Sequence, residues 1–242
     1  VKVLVIGETC KDVFNYGRVE RLCPEAPAPV FNLLNTTENK GMAGNVVNNL
    51  KSLGAEVTII TNENWEEITK TRFIDKKTNH MFLRVDCFDD KYGKCDLSSL
   101  DYSLWDAIVI SDYNKGFLSK EDIEQISRKH NLTFLDTKKP IGKWCENITF
   151  IKINNYELSK AEKITNKMFK KLIITMGPNG AKYMNNIYSV PKVEIKDLSG
   201  AGDTFLSGLV VKYLQTKNVD ASIQFANECA TIIVQKAGVS VI

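Results

Sequence analysis

In the run DLSGAGDTFLSGLVV, Asp197 to Val211, an aspartate follows two glycines that flank an alanine, and an apolar helical pattern starts at once behind it. Glycine lets a backbone approach a ligand closely and take conformations that a Cβ forbids. The first amides of a helix lack internal partners, and together with the helix dipole they form a site for an anion. Gly200, Ala201 and Gly202 therefore suit a phosphate that is gaining negative charge. Asp203 suits a general base that takes the proton of an attacking hydroxyl. Phosphoryl transfer needs mainly positioning and charge stabilisation, and these residues supply both. The competing reading of Asp203 is a plain helix cap.

Such a loop has to be carried by strands and helices, and the chain alternates them. VKVLVIG, residues 1–7, reads as a central strand ended by Gly7, and GNVVNNLKSLG has helical spacing and stops at Gly54. EVTIIT, DAIVIS, LTFLD, ITFIKIN and KLIITMG read as further strands. SKEDIEQISRKH opens at Ser119 with an acid three residues on, a capping-box start for an amphipathic helix, and helices are expected to begin near Gly202 and Ala221. The fold class is therefore α/β, with a mostly parallel sheet covered on both faces and functional residues beyond the carboxyl ends of its strands. GPNG, 177–180, marks a hairpin. Two segments break the rhythm, at about 28–36 and 69–87: they have β-like content with little helix between them, and KKTN supplies a turn in the second. They are expected to form a small sheet beside the main one, a lid whose apolar face needs a cover.

The 242 residues are 43% hydrophobic and 25% charged, an ordinary globular balance that suits one domain over 1–242. A net charge of +3 with scattered lysines gives no footprint for nucleic acid. No apolar run is long enough for a membrane span, and the start reads as a buried strand rather than a signal peptide, so a cytoplasmic protein with six reduced cysteines is expected. No Cys/His spacing fits zinc, and there is no P-loop.

DLSGAGDTF resembles the C-terminal signature of the ribokinase-like (PfkB) carbohydrate kinases, including Thr204 and Phe205. The resemblance implies a three-layer sandwich with a β-lid, Asp203 as catalytic base, and the amides of Gly200, Ala201 and Gly202 as the anion hole. GMAGNVVNNLKSLGA is similar to the family's N-terminal glycine motif at Gly41 and Asn45, while Met42 and Gly44 depart from it. The YGRVERLCPEAPAPVF stretch, the TKTRFID…FLRVD pair and SDYNKG resemble the heptose-7-phosphate kinases of lipopolysaccharide-precursor synthesis. That implies ATP and Mg²⁺ as cofactors and the anomeric hydroxyl of a heptose 7-phosphate as acceptor.

Carried over residue by residue, Asp12 is the expected sugar-binding carboxylate, a group able to accept two hydroxyls of a polyol. Glu8 stands where relatives usually have Asp, so its longer arm is expected to shift a hydroxyl contact. Asn45 is read both as a sugar ligand and as a helix cap. Lys115 is expected to meet sugar phosphate or ATP, Arg72 and Arg84 a substrate phosphate, and Arg21 and Glu25 to fix the lid or touch substrate. Asn154 and Glu157 match an NxxE motif that organises Mg²⁺ and phosphate in relatives, although a capped helix start fits the same letters. Asp136 and Lys138, in DTKK, resemble a DPKG strand end that has lost its proline and glycine. Thr175, Gly177 and Gly180 match the nucleotide-side turn, and Asn227 a position near the adenine pocket.

NENWEEITKTRF bridges directly from the strand that ends near Thr61 to the lid hairpin, where the family has a G-D-x-x-G stretch and a further helix. This leaves two alternatives to a heptose kinase: a degenerate homologue that binds without turnover, or a kinase for another sugar or a nucleoside. A homodimer through the lids would cover their apolar faces.

Overall fold

β-branched runs build the centre of the molecule. The computed structural model describes residues 1–236, 238, 241 and 242. β1 (Lys2–Gly7) lies between β4 (Glu56–Ile60) and β7 (Ala107–Asp112), and the parallel series continues through β8 (Thr133–Thr137), β9 (Phe150–Asn154) and β10 (Leu172–Thr175). The antiparallel β11 (Ala181–Tyr183) and β12 (Asn186–Tyr188) close the far edge, joined through the GPNG turn. The strands are apolar almost throughout because both sheet faces are covered. Val3 and Val5 pack with α1 (Ala43–Ser52), α5 (Ala201–Thr216) and α6 (Val219–Ile233). Leu4 and Ile6 pack on the other face with α2 (Lys120–Lys129) and with Ile68, Tyr92, Leu97 and Tyr102 from connecting segments. All four of those β1 side chains are fully buried; at roughly 1.5–3 kcal/mol each, such positions hold the sheet together. The expected capping box on α2 is present, with Ser119 and Asp122 bonding each other's backbone amides.

The lid is larger than the sequence suggests. It has four strands in the order β3-β2-β5-β6, made of β2 (Thr9–Leu22), β3 (Pro29–Met42), β5 (Thr69–Asp75) and β6 (Met81–Cys87). The expected bounds of 28–36 and 69–87 are corrected accordingly: the first segment runs on to Met42, and the stretch after Gly7, outside those bounds, is its 14-residue partner strand. Polar residues on both faces of β2 hide its alternation. Asp12, Phe14 and Tyr16 share one face with Lys70, Arg72 and Ile74, and the intervening residues face outwards.

The short bridge after β4 leads straight into β5, as expected. No bare hole results, because Ile68 is fully buried and its carbonyl accepts the Lys11 amide, while Asn62 accepts the Thr9 amide at 2.9 Å. At the tip of the β5–β6 hairpin, Asn79 donates to the Lys196 carbonyl at 2.8 Å, so the lid touches the chain just upstream of the glycine loop. Among the described residues no helix is long and apolar enough to cross a membrane, and all six cysteines are free.

Candidate active site

The glycine loop ends in a left-handed residue. Gly200 has φ 80° and precedes α5 as its N-cap, a conformation that disfavours any Cβ. Asp203 therefore sits inside the first turn and makes no capping bond, so the cap reading is corrected. The residue is 8% exposed. Asn45 Nδ2 donates to Asp203 Oδ2 at 2.8 Å, and the Tyr113 hydroxyl donates to Oδ1 at 3.0 Å. Burial, reinforced by the charge of Asp136, pushes the Asp203 carboxyl up to about 6, against the pull of Asn45, Lys152 and Tyr113. Burial, with Asp203 beside it, raises the Tyr113 phenol well above its ordinary range, so Tyr113 stays a donor.

Asn45 reaches Asp203 because it is not a cap either. Met42 precedes α1 at φ 59° without a side-chain cap, and Asn45 points from the first turn towards α5. Gly41 closes β3 beside Asp12, and a Cβ there would lie 2.2 Å from Asp12 Oδ2. Only hydrogen leaves the carboxylate its place.

Two cavities meet at the glycine loop. The smaller, about 470 Å³, lies between the lid and the carboxyl edge of the large sheet and is lined by Asp12, Asn45, Arg72, Arg84, Lys115 and Asp203. The larger, about 670 Å³, is lined by Asn154, Thr175, Gly177, Gly180 and Asn227. Gly200 borders the first, Ala201 and Gly202 border the second, and Lys138 borders both. The chain thus brings its expected sugar-side residues, apart from Gly41, to one cavity and its expected nucleotide-side residues to the other. Thr175 Oγ1 donates to the Ile153 carbonyl at 3.3 Å and Asn227 Nδ2 to the Tyr188 carbonyl at 2.8 Å, so both also tie the cavity wall together.

Ion pairs dominate the walls. Arg72 Nη1 meets Asp12 Oδ1 at 2.7 Å, and Arg84 grips Asp86 with two bonds of 2.7 Å. Lys115 pairs with Asp89, and Lys138 with Glu157. Burial lowers the pKa of the Lys138 ammonium, but Asp136 and Glu157 outweigh it and raise the value, so the group stays charged. Asn154 and Glu157 form a reciprocal capping box at the start of α3 (Asn155–Ser159), which realises the bland reading of that motif; Asn154 borders the larger cavity, whereas Glu157 borders neither and adjoins the site only through its pair with Lys138. No group of three or more His, Cys, Asp or Glu side chains is poised to cage a metal among the described residues. The oxygens present do fit a hard cation held through phosphate and water: Glu157 offers a carboxylate, and the buried Asp136 Oδ1 has no hydrogen-bond partner.

Some expectations fall away. Arg21 and Glu25 are exposed at the far end of the lid and border neither cavity. Glu8 makes no hydroxyl-facing contact: it is fully buried, and its carboxylate accepts the amides of Tyr113 at 2.8 Å and Lys115 at 3.0 Å. The longer arm holds that loop instead of lining the cavity. Other residues of the site carry weaker signals in the sequence. Lys152 interrupts an apolar strand, a cue for a buried charge with a task, and it pairs with Asp136 at 2.6 Å. A Cβ on Gly202 would lie 3.0 Å from the Lys152 ammonium, which places that charge directly under the loop. Lys70 lies two residues before Arg72 on β5 and so shares its face. Tyr113 lies within SDYNKG, two residues before Lys115.

Residues 83–241 match the pfkB family of carbohydrate kinases. The chain is 29% identical over 294 aligned positions to the bifunctional protein HldE of Helicobacter acinonychis (strain Sheeba), covering 98% of this chain and 63% of that protein. It is 30% identical over 291 positions to the same-named protein of a Nitratiruptor species, covering 98% of this chain and 62% of the relative. It thus spans under two thirds of the length of these relatives. The alignments are also longer than 242 residues, so the relatives carry segments that this chain lacks. Among solved structures, the nucleoside kinase of Methanocaldococcus jannaschii, an archaeal member of the ribokinase family, superposes with a TM-score of 0.69 at 16% identity over 98% of this chain and 93% of its own. Phosphofructokinase-2 of Escherichia coli gives 0.69 at 14% identity over 100% and 95%. At these identities the structural likeness shows the fold, which is ribokinase-like.

Proposed function

Because this chain belongs to the pfkB family of carbohydrate kinases, phosphotransferases with an alcohol group as acceptor, we propose that it transfers the γ-phosphate of ATP to a sugar hydroxyl held between lid and sheet. One observation carries the reading: Asp203 borders the lid-side cavity while the loop residues directly before it border the nucleotide-sized one. The sugar enters the smaller cavity, where Asp12 and Asn45 accept and donate to its hydroxyls and Gly41 gives Asp12 room. ATP occupies the larger cavity along Thr175, Gly177, Gly180 and Asn227. Asp203, ionised above about pH 6, takes the proton of the attacking hydroxyl. The amides of Gly200, Ala201 and Gly202 receive the charge that gathers on the transferred group, with Lys138 and Lys152 adding positive field on either side. Tyr113 and Asn45 hold the two carboxylate oxygens and so aim the base. Mg²⁺ when bound offsets phosphate charge; Glu157 and Asn154 are the residues that would hold it, through phosphate and water.

The acceptor we propose is a heptose 7-phosphate, phosphorylated at O1. The similarity of the CPEAPAP, TKTR and SDYNKG segments to heptose kinases supports it, as does the number of cationic side chains around the smaller cavity. Two copies are proposed to pair through the outer face of the lid, where Phe31, Leu33, Phe73, Leu83 and Val85 lie together. ADP release, measured across heptose 7-phosphate, unphosphorylated heptose, ribose, fructose and nucleosides, tests the substrate. Highest kcat/KM with the heptose 7-phosphate is expected. Preference for a pentose or nucleoside would move the chain to another branch of the fold. Binding of ATP and sugar with no ADP release from any acceptor would make it a non-catalytic homologue.

A further inference from the structure

We propose that Lys70 and Lys115 form a phosphate-monoester subsite at the lid end of the smaller cavity, and that the Asp89 carboxylate occupies it as a displaceable internal anion. The other cations on this wall each have a carboxylate in direct contact: Arg72 has Asp12, Arg84 has Asp86, and Lys138 has Glu157. Asp89 instead takes hydrogen bonds from two ammonium groups at once. Its Oδ1 receives Lys70 Nζ at 2.5 Å and its Oδ2 receives Lys115 Nζ. Asp86 stands further from Lys70, at 3.6 Å, with its own oxygens already held by Arg84. The Tyr92 hydroxyl gives Asp89 a third donor at 2.8 Å. Lys70 is only 7% exposed and Tyr92 2%, so two of these donors are fixed by packing rather than waving in solvent. Three converging donors, two of them cationic, are the equipment of an anion site.

The two lysines come from different bodies. Lys70 is on the lid strand β5, and Lys115 follows β7 of the large sheet, with its amide anchored by Glu8. Asp89 hangs on the turn after β6, directly behind Phe88, a non-glycine residue held at φ 56° and 61% exposed. At that φ a residue with a Cβ carries backbone strain that a glycine would not. Burial would raise the Asp89 pKa, yet the hydrogen bonds from Lys115, Lys70 and Tyr92 bring it down to about 2, so the occupant is an anion at any working pH. A phosphate monoester carries more charge and more acceptor oxygens than a carboxylate, so it replaces Asp89 and bridges lid to sheet in its stead. The idea rests on the kinase reading for the identity of the ligand, a phosphorylated acceptor, but its test needs no turnover.

Calorimetric titration with inorganic phosphate at about pH 8, where most of that ion is dianionic, compares the unaltered protein with Asp89→Asn and with Asp89→Asn combined with Lys115→Met. Removing the resident charge is expected to tighten phosphate binding by about tenfold or more, and the second substitution to cancel that gain. Unchanged affinity in folded Asp89→Asn, or a gain that survives loss of Lys115, overturns the proposal. Should Asp89→Asn not fold, a structure of the unaltered protein with phosphate decides: the ion must lie between the two ammonium groups with Asp89 turned away, and phosphate only at the Gly200–Gly202 loop, or nowhere, overturns it. ADP release by Asp203→Asn examines the kinase reading separately, so failure of one is distinguishable from failure of the other.

Discussion

Asp203 combines burial with two hydrogen-bond donors, and the balance of those forces is measurable. Its raised value means that kcat/KM rises with pH through about 6 and levels off above it, as the base loses its proton. Asp203→Asn is expected to lower kcat by about 10²–10⁴-fold with nucleotide affinity nearly intact; equal activity in that variant would remove the assignment. The same ionisation enters stability with the opposite sense. A carboxyl whose folded value lies above its unfolded value contributes stability below the unfolded pKa and loses it as pH rises through about 6. Asp203→Asn, which cannot ionise, should therefore gain on the unaltered protein between about pH 4 and pH 7, by something on the order of 2 kcal/mol. Thermal unfolding at the two pH values checks it. Tyr113→Phe deletes one donor to the anion, so the rising limb of the pH profile should move upward and kcat fall; an unmoved limb would mean that Tyr113 does not aim the base.

Each of these side chains is placed by the end of an element. β3 delivers Gly41 against Asp12 and turns through Met42 into α1, whose first turn carries Asn45 across to the first turn of α5. Gly41→Ala puts a methyl 2.2 Å from the Asp12 carboxylate, a distance that nothing but movement resolves. We expect the sugar KM to rise about tenfold, with the KM for ATP unchanged, as initial-rate kinetics varying each substrate in turn will read. A matched rise in both constants would mean that the substitution unsettles the fold instead of one cavity wall. Asp136 and Lys138 stand at the end of β8, and Lys152 lies beside them on β9, so the charges beside the candidate phosphate loop all rise from the carboxyl edge of one sheet.

Two sheets of different character share the chain. The large one is closed in by helices and connecting segments, whereas the lid leaves Leu33 57% and Leu83 56% exposed beside Phe31 and Phe73. A second copy laid face to face would cover them, so sedimentation is expected to show a dimer that Leu83→Asp disperses; a monomer at all concentrations would refute the pairing. The element pattern of the large sheet was readable from letters alone, because strands buried on both faces must be nearly continuous in Val, Ile and Leu, and the capped α2 and the glycine turn before α5 obey short-range rules. The residue types around the glycine loop were readable for the same reason: their constraints are local. β2 was not, since a strand with a cavity on one side and solvent on the other carries polar residues on both and shows no apolar period. Nor were the partnerships. Asp203 finds Asn45 from 158 positions away and Tyr113 from 90, and Lys70 and Lys115 converge on Asp89 from lid and sheet. Such distances in sequence are bridged only by the crossover order of the strands, which no local preference encodes and which the packing of the two cores sets.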